Sequence, residues 1–290
     1  MGGSMGSPAG AGESARHWRH PRLPDVDLLS ARYLTKTFAR HTHDAYVIGA
    51  VAEGVEVFAH SGTEHRAGPG DLALINPGVP HSAHAGGPEG WRYDVLYAAP
   101  ALVARIAAET TSLRGTPGFV TASVVDPESA GLIAGVLRAA EAGQALAADT
   151  LLRVATARAL RLYGGSLPSR PVATAGARTA ERARAVLEAR MADSPTLEAL
   201  AHELGTGVFP LLRAFRERYG MPPHAWLTDA RVHRARSLLD EGVPPAETAA
   251  AVGFTDQSHL SRHFGRIVGV PPGAYRRERL GPGPGVRPGA

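Results

Sequence analysis

Apolar positions change their spacing twice along this chain. From Leu23 to about Pro100 they fall in short β-branched or aromatic runs, YVIGAV (46–51), VEVFAH (55–60), DLALIN (71–76) and WRYDVLYA (91–98), punctuated by Gly54, Gly62, Gly68, Gly70 and Gly78. Short strands with regular turn signals predict an all-β barrel or sandwich. Beyond Pro100 the apolar residues recur three or four apart, which predicts amphipathic helices over 101–110, 127–143 and 147–164. In the last of these, Leu151, Val154, Ala155, Arg158 and Leu162 are placed on one face, to cover the barrel or to pair with a second subunit. Residues 164–178 hold three glycines and two prolines and hardly any large apolar side chain, which reads as a linker. The remainder predicts helices at about 179–192, 196–203, 208–219, 223–241, 245–251, 257–267 and 272–279.

The fold class expected is multidomain: an N-terminal all-β barrel with appended helices, then an all-α C-terminal domain. The expected division is a disordered tail over 1–20, a first domain over 21–165, a linker over 166–178, a helical domain over 179–280 and a second tail over 281–290. The Gly/Ser/Ala-rich start lacks the apolar core of a secretory signal and is read as tail rather than as a lipidation site.

Composition narrows the chemistry. With 290 residues and no cysteine, thiolate zinc sites, iron–sulfur clusters, thiol nucleophiles and disulfide scaffolds are excluded, and a reducing compartment is expected. No apolar run reaches the roughly 20 residues that span a bilayer. The net charge of +4 is too small to name a partner, although arginine supplies nearly all of the positive charge, with Lys36 the one lysine.

Two stretches of the helical domain share one layout. Thr196-Leu-Glu-Ala-Leu-Ala-His-Glu-Leu-Gly205 sets Leu197, Leu200, Ala201 and Leu204 on one side, and a second helix follows with Leu211, Arg213 and Phe215. Ala246 to Gly253 is followed in the same way by Leu260, Arg262 and Phe264, with one residue more in the turn. A short helix, a glycine turn and a second helix anchored by two apolar residues are what a helix-turn-helix requires. Here the chain resembles the AraC/XylS family of bacterial transcriptional regulators, most densely over Ala249–Phe264 and Gly269–Arg276. The resemblance spans about 178–279 and implies two recognition helices entering successive major grooves, held about 34 Å apart by the helix of 223–241.

The base-reading candidates it implies are Phe209, Leu212 and Arg213 in the first unit and Asp256, Gln257, Ser258, His259, Ser261 and Arg262 in the second. Arginine pairs with guanine, Gln257 suits adenine, Asp256 suits the cytosine amino group or the helix cap, and Phe209 and Leu212 offer apolar contact to thymine methyls. Arg216, Arg218 and Arg266 are expected on phosphates. The first unit departs from the family in having Gly207 where a serine cap is usual, with Pro210 three residues later. Proline has no N–H to cap, so the two changes are compatible. The second unit is therefore expected to supply more of the sequence discrimination.

The N-terminal half carries His41-Thr-His43 and the run Gly70–His81 that ends in Pro-Gly-Val-Pro-His. This pattern resembles the cupin barrel that serves many such regulators as a sensor. Alternation along a strand puts His41 and His43 on one face, where His81 could complete a three-histidine metal site. Metal-binding cupins have a glutamate four or five positions after the pair; here those positions are Val47 and Ile48. The expectation is therefore an effector pocket of His41, His43, Tyr46 and His81 without metal or other cofactor, with a cupin-type metal-dependent enzyme or metal sensor as the alternative. The whole reads as a cytoplasmic, non-enzymatic, effector-controlled regulator that binds promoter DNA, as a homodimer and, by the family's habit, an activator able to meet RNA polymerase.

Overall fold

The computed structural model describes residues 12–167 and 174–280. In chain order the first domain contains β1 (Ser14–Trp18), β2 (Val26–Tyr33), β3 (Thr37–His41), β4 (Tyr46–Gly54), β5 (Glu56–His60), β6 (Thr63–Ala67), β7 (Asp71–Ile75), β8 (His81–Ala85) and β9 (Trp91–Ala98). It continues with α1 (Pro100–Thr110), β10 (Pro117–Phe119), β11 (Ser123–Val125), α2 (Pro127–Glu141), α3 (Ala145–Tyr163) and β12 (Gly164–Ser166). Six strands in the order β1-β2-β9-β4-β7-β11 face four in the order β3-β8-β5-β6.

The six-stranded sheet is buried on both faces, which is why β4 reads as an unbroken apolar run. One face, with Val47, Val51, Tyr93 and Val95, meets Phe38, Phe58 and Ala83 of the smaller sheet inside the barrel. The other, with Tyr46, Ile48, Ala50 and Leu96, packs under the helices against Leu102, Ile106, Ile133, Val136 and Leu152. The appended helices therefore cover the barrel. The face expected of α3 is corrected: Ala148, Leu152, Ala155, Ala159 and Leu160 turn inward, whereas Val154 and Leu162 are exposed. Arg158 lies against Asp126 and Glu128.

Two expected boundaries are also corrected. Ser14–Trp18, assigned to the tail, is an edge strand paired with Leu28–Arg32, and Arg16 ties it to Glu141 of α2 and to Glu278 near the C-terminus. Part of the expected linker is ordered, because Thr174 caps α4 (Ala175–Ala189) by accepting a bond from the Ala177 N–H. The rest of that linker, 168–173, and the tail stretches 1–11 and 281–290 lie outside the described residues.

The second domain continues with α5 (Leu197–Glu203), α6 (Val208–Tyr219), α7 (Pro223–Asp240), α8 (Pro245–Ala251), α9 (Gln257–Val268) and α10 (Pro272–Leu280). It holds two cores, one for each expected unit. Leu200, Ala201, Leu204, Leu211 and Phe215 close the first with Leu187 and Leu227, and Val252, Leu260, Phe264 and Val268 close the second with Val232, Leu239 and Tyr275. Helix α7 contributes to both. The turn glycines Gly205 and Gly253 have φ of 65° and 83°, the left-handed region that a side chain disfavours. At Gly253 a Cβ would also stand 2.5 Å from the Ala192 carbonyl oxygen.

Candidate DNA-reading helices and barrel site

In α6 and α9 the buried pairs Leu211/Phe215 and Leu260/Phe264 leave the intervening positions facing outward. Helix α6 starts at Gly207 with no side-chain cap and has Pro210 in its first turn. Phe209 is 79% exposed beside it, Leu212 is half-buried, and Arg213 and Arg216 are exposed. Helix α9 is capped by Asp256, whose carboxylate accepts from the His259 N–H at 2.8 Å. Of the two roles open to Asp256, the cap is thus occupied.

Gln257, Ser258, Arg262 and Arg266 are exposed, and His259 and Ser261 are half-buried. The His259 ring sits against Phe254 and His263, at 5.2 and 4.9 Å between centroids, which holds it to its own unit. Among the described residues Arg213, Arg216, Arg262 and Arg266 make no hydrogen bond or ion pair. Arg218 differs: it pairs with Glu181 at 3.0 Å and lies over Tyr219, so its expected place on a phosphate is corrected to a bond within its own domain.

The three histidines do converge. His41 ends β3, His43 follows in the loop and His81 opens β8, all three buried. Their ligand atoms lie within 4.8 Å of one another, with His41 Nε2 and His43 Nε2 at 3.2 Å. The Nδ1–H groups of His41 and His81 point at the carbonyls of Ala39 and Val79, at 2.7 and 3.1 Å, which leaves their Nε2 lone pairs directed at the cluster. Burial lowers the pKa of each ring below the ordinary range, so the cluster is neutral.

Tyr46 is not part of it. Alternation along β4 turns Tyr46 to the helical side, where its hydroxyl donates to the Pro117 carbonyl at 2.5 Å and its ring meets Phe119. A cavity of about 40 Å³ inside the barrel is lined instead by the three histidines, Tyr97, Tyr93 and Glu56. Glu56 escaped the sequence reading, although alternation in β5 puts Glu56 and Phe58 on the inward face together. It is 6% exposed, its Oε2 has no hydrogen-bond partner, and burial pushes its carboxyl up to about 7.

The loop between His41 and His43 is also the seam between the domains. Asp229 of α7 accepts from the Thr42 N–H at 3.2 Å and from Thr42 Oγ1 at 2.5 Å. His233, one turn on, donates to the Thr42 carbonyl at 3.0 Å and faces Asp44 at 3.2 Å. Burial works against charge on His233, but the hydrogen bonds to Asp229 and Asp44 outweigh it and raise its pKa to about 9. A second tie joins Asp27 of β2 to Arg236 at 3.1 Å and to Arg279 at 2.5 and 2.8 Å. Between the ties lies a cavity of about 300 Å³, bordered by Arg19, His43, Tyr97, His233 and Arg236. None of these pairings has a local sequence signal, since the partners are about 190 to 250 residues apart.

Comparison with known proteins agrees with this anatomy. The AraC-like ligand binding domain matches residues 23–156 and a helix-turn-helix domain matches 200–278. The HTH-type transcriptional regulator YbfI of Bacillus subtilis is 29% identical over 236 residues, 78% of this chain and 82% of that protein. The transcriptional activator NphR of Rhodococcus is 34% identical over 99 residues, which cover 33% of this chain and 29% of NphR. ToxT from Vibrio cholerae shares the two-domain fold, with a TM-score of 0.53 at 14% identity over 93% of this chain and 99% of ToxT. An unsaturated-fatty-acid-bound ToxT superposes with a TM-score of 0.52 at 14% identity, over 87% of this chain and 94% of that one. The chain belongs to the AraC family of transcriptional regulators, with an AraC-like ligand-binding domain followed by a DNA-binding helix-turn-helix domain.

Proposed function

We propose that a small molecule bound among His41, His43 and His81 controls how α6 and α9 engage promoter DNA. The observation that carries this reading is the place of Thr42: it stands between two histidines of the barrel site and is held by Asp229 and His233 of α7, the helix that joins the two helix-turn-helix units. A ligand shifts the equilibrium only if it prefers one arrangement, and a change in the backbone of residues 41–43 reaches α7 directly. The ligand-bound ToxT supports a small organic effector as the class.

On the DNA side, Arg213 and Arg262 are assigned to guanine edges, Gln257 to adenine, and Phe209 and Leu212 to thymine methyls, with Ser258 and Ser261 beside them. Arg216 and Arg266 are assigned to phosphates. The protein acts as a cytoplasmic homodimer without enzymatic activity, the exposed Val154 and Leu162 of α3 being available to a second copy, and as an activator in contact with RNA polymerase. A mobility-shift titration on the protein's own upstream region, repeated over a salt series, tests this. Sequence-specific retardation that weakens steeply with salt supports it, and salt-insensitive, sequence-independent behaviour sinks it.

The histidine geometry favours one second reading, a metal sensor. Three neutral imidazoles with Nε2 atoms turned to a common point are a donor set for a divalent transition metal with an open coordination position. Stoichiometric iron, zinc or manganese in the purified protein would select it over a purely organic effector.

A further inference from the structure

The barrel interior has a charge character that its histidines do not reveal. Among the described residues no arginine or lysine lines the cavity. None of the described lining residues is a permanent cation that could meet an anionic head group. The one carboxylic acid among the described lining residues is Glu56, buried with Oε2 unpartnered. A buried carboxyl without a donor is costly to keep, and carboxylates are seldom found in that state unless something pairs with them.

The surroundings indicate what the partner is. Phe38, Phe58, Tyr93 and Tyr97 share the cavity with Glu56, and the faces of aromatic rings attract cations. The register sets the direction of the site. In the pairing of β5 with β8, Glu56 stands opposite Ala85 and His60 opposite His81, so the carboxyl and the histidine cluster are four residues apart along the strands, about 13 Å. The carboxyl therefore lies toward one end of the barrel and the imidazole nitrogens toward the other.

We propose that the effector is a small organic ammonium ion whose charged nitrogen sits against Glu56 within the ring of Phe38, Phe58, Tyr93 and Tyr97. This rests on the reading of the barrel as the effector site and names the chemical class that the site takes. The enclosed volume of about 40 Å³ admits a head group rather than a bulky molecule. A cation placed there also offsets the burial that holds the Glu56 carboxyl partly protonated near neutrality.

The test compares three probes of one shape, n-butylammonium chloride, sodium n-butyrate and n-butanol, by thermal shift and calorimetry on the full-length protein. Wild type is expected to bind butylammonium at least tenfold more tightly than the other two. Glu56→Gln, which keeps the shape and removes the charge, is expected to lose that preference. Ala83→Trp, which fills the cavity, is expected to abolish binding. Because the head-group comparison is made on wild type, it stands even where a variant folds poorly. Butyrate or butanol binding as tightly as butylammonium, or undiminished butylammonium binding by Glu56→Gln, overturns the ammonium assignment. If that binding is still lost in Ala83→Trp, the barrel survives as the effector site. Binding of butylammonium that Ala83→Trp leaves intact, or no binding of any probe, overturns both.

Discussion

Thr42 Oγ1 donates to Asp229 Oδ2 at 2.5 Å, joining the loop between two barrel histidines to the helix that separates the recognition helices. Hydrogen bonds to a charged partner contribute about 1.5 to 3 kcal/mol each. Thr42→Val, which keeps the shape and removes the donor, is therefore expected to loosen the seam without unfolding either domain. Hydrogen exchange should lose protection at residues 41–44 and 229–233 while β4 and β9 stay protected. Unchanged exchange at the seam would show that the contact does not hold the domains together.

The same seam has a pH limit. The His233 pKa, near 9, lies above the ordinary histidine value, so the stabilisation is complete below about pH 6.5 and is lost as pH rises through 9. The full shift corresponds to about 3 kcal/mol as an upper bound. Raising the pH from 7 to 10 should weaken the docking of α7 on the barrel, and His233→Gln should flatten that dependence. Equal pH sensitivity in variant and wild type would remove His233 as the cause.

Glu56 acts in the opposite direction. Its carboxyl is raised to about 7 from an ordinary value of 4.5, so the folded state holds a proton that the unfolded chain has released. Stability therefore falls by about 3 kcal/mol between pH 4.5 and 7 and is level above that. Ligand-free Glu56→Gln should melt higher than wild type at pH 8 and show little difference at pH 4.5. A difference that does not grow with pH would mean the carboxyl is not confined as the structure has it.

Arg213, Arg216, Arg262 and Arg266, which are unpaired among the described residues, are the positions at which the proposed base readout is separated from the proposed phosphate contact. Arg262→Ala is expected to lower operator discrimination by about 1 to 3 kcal/mol and Arg213→Ala by less, because α6 presents Phe209 and Leu212 beside its arginine. Arg216→Ala and Arg266→Ala should weaken all sequences alike and reduce the salt slope by about one unit each. Equal losses of specificity for Arg213 and Arg262 would show that both units read the operator alike.

Asp27 gathers Arg19, Arg236 and Arg279 around one carboxylate. Burial alone would raise its pKa, but the hydrogen bonds from Arg279 dominate and hold it well below the usual range. Asp27→Ala leaves Arg236 without its carboxylate partner and Arg279 with Asp240 alone, a loss of about 3 to 5 kcal/mol for a broken buried pair. A thermal melt should show a large drop, and Asp27→Asn a smaller one.

The sequence by itself determined what local rules can decide. Within each unit the turn glycine, Gly205 or Gly253, lies within about a dozen residues of the buried pair on α6 or α9, as does the Asp256 cap in the second unit, and both units formed where periodicity put them. The strands β4 and β9 were legible for the same reason. Tertiary structure decided which face of those strands is the site. Both faces of the six-stranded sheet are buried, so hydrophobicity alone did not say that Tyr46 turns to the helices while Val47 turns inward. It also exposed Val154 and Leu162 of α3, paired β1 into a sheet, and put Glu56 in the lining of the cavity that the histidines border. The contact of Thr42 with Asp229 closes a loop of 187 residues, and no spacing rule reaches that far.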